Sequence, residues 1–185
     1  MNRTERKRQR QREKRLANEP MVLRFQFSPI ALRFAGPVIN TDIWVADSHA
    51  QSLTAAGQAI PERVRCRFLI DSGAYCTIVK HHIAETAGLK LINTSSPVRG
   101  VGEDDTGRTY FGRILFVLRS SVDPNATHII AVETEITSAA LAHATHFDGL
   151  IGRDVLSFFD FRYNGKDGEV VMKYRGPRGD ANILY

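Results

Sequence analysis

The stretch "RVRCRFLI" constrains this chain most. Val64, Cys66, Phe68 and Ile70 alternate with Arg63, Arg65 and Arg67, and the run then ends abruptly at Asp71. Strict two-residue alternation predicts a strand with one face in a core and the other in water. The pattern recurs. "MVLRFQF" puts Leu23, Phe25 and Phe27 on one face; "PVINTDIWVA", "HIIAVETEI" and the hairpin-like "FDFRYNGKDGEVVMKY" supply further strands. "SSPVRGVGEDDTGRTYFGRILFVL", Ser95 to Leu118, reads as two strands around a glycine-rich, acidic tip. Only "KHHIAETAGL", stopping at Gly88, and a short segment after Gly152 read as convincing helices. "SHAQSLTAAGQAIPE" reads as a loop and "SAALAHA" as a short helix or loop. Many short strands with one or two short helices imply a mainly β fold, closed or sandwich-like.

Charge divides the chain unevenly. Residues 1–16 hold eight Lys/Arg and two Glu, a sum of +6, so the rest of a chain with net charge +5 is at −1. Residues 1–20 therefore read as a basic, disordered extension, helical in part where Arg, Lys, Gln and Glu favour it, with almost no apolar face to dock. Residues 21–185 form the domain. Arg-rich arms neutralise phosphates, so a weak contact with nucleic acid or another acidic surface through residues 3–15 is the one partner the extension suggests. No aromatic residue is interleaved there for base stacking.

Two cysteines, Cys66 and Cys76, make no disulfide framework and read as buried thiols. No apolar run reaches the length of a membrane span, and Arg24 and Gln26 interrupt any signal-like segment. A reducing, cytoplasmic setting is the expectation. His81 or His82 with Glu85, and His143, His146 and Asp148, have metal-like spacings but no complete ligand set. No metal and no cofactor are expected. The glycines of "RGVGEDDTG" lack a phosphate-binding Lys and carry three acids, which argues against nucleotide binding.

"FLIDSGA", Phe68 to Ala74, resembles the active-site signature of aspartic proteases. "GLIGRDVL", Gly149 to Leu156, resembles the second signature of their single-domain, retropepsin-like branch, with 81 residues between Asp71 and Gly152. A glycine-rich hairpin lies between the two, and a short helix and a hairpin follow. The resemblance covers roughly residues 36–175. It implies a closed retropepsin-like acid-protease β-barrel with a flap hairpin. It implies an aspartic endopeptidase acting on an extended peptide or protein substrate. Because the chain has one Asp-Ser-Gly triplet, it also implies a homodimer in which each protomer supplies one Asp71. Asp71 would be catalytic, with Ser72, Gly73 and Ala74 supporting the dyad. Val98, Arg99, Gly100, Val101 and Gly102, within a flap of Val98 to Gly107, would close over the substrate. Leu150, Ile151 and Gly152 would shape its pockets. The other reading of the same residues is an inactive peptide-binding or assembly module of that fold.

The pattern departs from the retroviral members in two places. Tyr75 and Cys76 follow Ala74, where acidic residues are common. Arg153 therefore lacks its usual carboxylate, and Asp154 or another acid is expected to serve.

Overall fold

Where the sequence alternates, the chain forms strands. A computed structural model describes residues 3–99, 104–121, 123, 125–176 and 181–184. In chain order the elements are α1 (Arg3–Ala17), β1 (Val22–Gln26), α2 (Pro29–Ala35), β2 (Val38–Val45), α3 (Asp47–Ala55), β3 (Val64–Ile70), β4 (Thr77–Lys80) and α4 (His81–Thr86). Then follow β5 (Lys90–Arg99), β6 (Asp104–Arg119), β7 (Thr127–Ala139), β8 (Gly149–Ile151), α5 (Arg153–Leu156), β9 (Phe159–Asn164), β10 (Glu169–Tyr174) and β11 (Ala181–Leu184).

The fold is mainly β, and its centre is a closed barrel. Strands β7, β4, β8, β3, β2 and β6 neighbour one another in that order, and β6 pairs back to β7. Closure leaves no unpaired edge within the ring. Strand β5 extends β6 outward as a hairpin, β11 adds to β7, and β1, β10 and β9 make a separate three-stranded sheet. Phe68, Ile114, Ile130, Ile136 and Ile151 fill the interior with essentially no exposure. Phe159 stacks edge-on against both Phe116 and Tyr174, joining barrel to small sheet.

The alternation at 64–70 behaves as the sequence requires: Cys66, Phe68 and Ile70 are buried and Arg65 and Arg67 exposed. Just past helix α4 lies Gly88, whose φ of 61° would strain any residue with a side chain and which glycine adopts freely. Two helices go beyond the expectation. Residues 47–55, which read as a loop, form α3, pinned at its first turn by an Arg113–Asp47 ion pair and by Glu133, which accepts from Asp47 N at 2.7 Å. Residues 29–35 form α2, with Ser28 Oγ accepting from Ala31 N at 3.0 Å and Pro29 at the first helical position. "SAALAHA" is neither helix nor plain loop at its start, since β7 runs on through Ala139.

The end of the basic extension is also docked, contrary to its reading as a segment with nothing to bury. Leu16 is 1% exposed and Glu19 5%. Glu19 accepts hydrogen bonds from Ser120 Oγ and from the amide and hydroxyl of Ser121, and lies 2.9 Å from Nε2 of the fully buried His128. Burial pushes the Glu19 carboxyl up, but these hydrogen bonds outweigh it and hold its pKa at about 2. Arg12 pairs with the buried Asp123. No described helix is long and apolar enough to cross a membrane.

Candidate active site

Three strands converge on one loop. Strand β3 delivers the chain to Asp71, the loop 71–76 turns back, and β4 leaves. Strand β8 lies between them, parallel to β3 with Leu69 opposite Leu150 and Ile70 opposite Ile151, and antiparallel to β4 with Ile78 opposite Leu150. The two motifs picked from the sequence, 81 residues apart, are thus hydrogen-bonded neighbours.

Each end of the loop is fixed through its backbone. Asp71 N donates to Ile151 O at 3.0 Å, and Ala74 N to Asp71 O at 3.2 Å. Arg153 N donates to Ala74 O at 3.0 Å. Within the loop, Gly73 N donates to Asp71 Oδ1 at 2.8 Å. That bond orients the carboxylate and leaves Oδ2 without a partner among the described residues. Asp71 and Ala74 are half-buried, while Ser72 and Gly73 are exposed. Ile151 and Gly152 are buried and support the loop from below; Leu150 keeps part of its surface.

The packing explains why position 152 is glycine. A Cβ there would overlap the carbonyl of Cys76. The backbone of the loop and the start of α5 therefore touch directly. This also gives Cys76 a structural place: its main chain is the wall against Gly152. Its thiol is free, and burial pushes it up, so it is protonated near neutral pH. Cys66, buried in the core, is pushed up to about 12 by the same cause.

Arg153 is held differently from the expectation. No carboxylate partners it among the described residues. Its Nη1 donates to Ser72 O at 2.9 Å and to Gly73 O at 3.1 Å. Asp154 does not serve it. That carboxylate accepts from Thr77 N at 3.0 Å, Thr77 Oγ1 at 2.9 Å and Thr134 Oγ1 at 3.1 Å. Thr77 Oγ1 in turn accepts from Gly152 N at 3.2 Å. Thr77 is fully buried, so this hydroxyl is a brace between β4, the loop and α5. Nothing local in the sequence marks Thr77 for this role. Asp148, at the other end of β8, is engaged by Arg67 and Lys80, which hold its carboxyl below the usual range against the opposing effect of burial.

The expected flap corresponds to the β5–β6 hairpin. Val98 pairs with Asp105 and Arg99 with Asp104 across its stem. Gly100, Val101 and Gly102, the expected tip, lie outside the described residues. Among those described, no group of three His, Cys, Asp or Glu residues is placed to hold a metal ion.

No family model matches the chain, and no curated protein does. Among solved structures, a retropepsin-like aspartic protease from Rickettsia conorii aligns with 84% of this chain and 93% of its own, at a TM-score of 0.47 and 11% sequence identity.

Proposed function

We propose that the chain is an aspartic endopeptidase that acts as a homodimer, with one Asp71 from each protomer sharing a water molecule. The observation that carries this reading is the state of Asp71: a half-buried carboxylate on a backbone-locked loop, one oxygen oriented by Gly73 N and the other open. Peptide hydrolysis by this route needs a second carboxylate. Asp148 and Asp154, the acids flanking β8, are occupied by Arg67 and Lys80 and by Thr77 and Thr134. A second copy of the same loop across a two-fold axis meets the need.

In this reading the two carboxylates hold one proton between them, because close like charges cannot both ionise. The ionised one takes a proton from water as it attacks the peptide carbonyl, and the protonated one donates to the carbonyl oxygen. Collapse of the tetrahedral adduct passes a proton to the departing amine. The pair titrates as a unit. Ser72 would brace the paired loops through its hydroxyl, Gly73 would let substrate backbone approach, and Ala74 and Leu150 would line the cleft. Ile151 and Gly152 would hold the loop in place. The hairpin from Val98 through Gly107 would close over a substrate bound as an added strand. Residues 21–185 would be the catalytic unit, and its unpaired thiols suit a reducing, cytoplasmic setting.

The test is peptide hydrolysis measured against chain concentration. A site shared between protomers predicts specific activity that falls steeply on dilution below the dimer dissociation constant. Specific activity independent of concentration, in protein shown to be monomeric, overturns the shared site.

A further inference from the structure

Residues 3–17 carry the molecule's excess charge on an ordered helix. Positions 4–15 of α1 are all exposed. At about 100° per residue, Arg6, Lys7, Arg10 and Lys14 fall within an arc of roughly 100° that contains no acid. Glu13 borders the arc and accepts from Gln9 Nε2 at 3.1 Å. The opposite side fastens the helix near its C-terminal end, where Arg12 pairs with Asp123 and Leu16 is buried. Glu5, Arg8, Gln9, Arg12, Glu13 and Leu16 border an open cleft of about 540 Å³. Just beyond the helix, Glu19 is locked to Ser120, Ser121 and His128. The cations thus lie on the side away from the anchors, and the anchors set where that side is presented.

We propose that this face of α1 binds the phosphate backbone of a nucleic-acid duplex. From Arg6 to Lys14 the helix advances about 12 Å, a length over which one strand of a duplex presents three to four phosphates at about 3.4 Å each. Four cations on one rigid face match that density. The arc holds no large apolar side chain, which a helix needs in order to enter a bilayer interface. Residues 1–20 hold no aromatic ring on which an unpaired base could stack, so paired strands fit better than single ones. A helix already docked loses less conformational freedom on binding than a disordered arm that folds on contact. Backbone contacts carry no sequence information, so binding is indifferent to sequence.

The test uses full-length protein carrying Asp71→Asn, which removes any self-cleavage, and a fluorescent mixed-sequence DNA duplex titrated at several salt concentrations. The expected plot of log affinity against log salt falls with a slope of roughly −3 to −4, about −0.9 per phosphate neutralised. The combined variant R6Q/K7Q/R10Q/K14Q, which keeps good helix formers, loses at least about tenfold in affinity and most of that slope. The variant R8Q/R15Q, outside the arc, stays within about twofold of the parent. Circular dichroism reports whether the helix persists in each. Three results overturn the proposal: no binding at low salt, equal losses in the two variants, or binding to phosphatidylglycerol vesicles without binding to the duplex. The last would assign the face to a membrane surface.

Discussion

The guanidinium of Arg153 donates from Nη1 to the carbonyl of Ser72 at 2.9 Å, across a separation of 81 residues. It also reaches Gly73 O at 3.1 Å, so one side chain fixes two consecutive peptide units of the Asp71 loop. Both bonds leave the one Nη1 nitrogen, whose N–H groups are fixed in the guanidinium plane; an ammonium on a flexible stem holds the same carbonyls less rigidly. Arg153→Met is expected to lower kcat by about 10- to 100-fold by loosening the loop, while the exposed site limits the change in stability to about 1 kcal/mol. Arg153→Lys is expected to fall between. Steady-state kinetics beside denaturant melts checks this; a large stability loss with unchanged kcat would make the contact purely structural.

Thr77 gives a complementary prediction. Removing its hydroxyl in Thr77→Val leaves part of the Asp154 carboxylate and the Gly152 amide without a partner in a buried site. Unsatisfied buried groups cost about 1–3 kcal/mol each. Thr77→Ser, which keeps the oxygen, is expected to recover most of that loss in a urea titration.

At Gly152 even one methyl group is too much. The Cβ of Gly152→Ala would overlap the Cys76 carbonyl, which is backbone and cannot rotate aside. Overpacking of this kind destabilises by about 1–3 kcal/mol. Thermal unfolding should show the loss, and the displaced Asp71 loop should lower activity beyond it.

Glu19 makes stability depend on pH. Its folded pKa of about 2 lies below the ordinary 4.5, so folding favours the ionised form. The contribution is complete above the unfolded value and is lost as pH falls from about 4.5 towards 2. Its size is about 3 kcal/mol. Glu19→Gln is expected to be less stable than the parent at neutral pH, with the two converging near pH 2. Parallel stability curves for the two proteins across that range would refute the assignment.

Much of the barrel is legible in the sequence because its signals are local. The alternation from Val64 to Ile70 gives β3, and the run ending at Gly88 gives α4. The proximity of Asp71 and Gly152 follows from motif resemblance, since nothing local tells β8 to lie between β3 and β4. The rest depends on partners distant in sequence. Helix α3 looks like a loop because its first turn is fastened by Arg113 and Glu133, far along the chain. Docking of the basic extension depends on Glu19 meeting His128, 109 residues away. Arg153 misleads for a different reason: its acceptors are backbone carbonyls, which no residue letter marks.

In the proposed reaction Asp71 performs the chemistry. The most direct measurement is hydrolysis of a peptide library by the parent protein and by Asp71→Asn, between about pH 4 and 7, both dimeric by sedimentation. Cleavage by the parent is expected, with a loss of about 10²–10⁴-fold in the variant and unchanged stability at neutral pH. Cleavage at the same sites and rates by both proteins would contradict it.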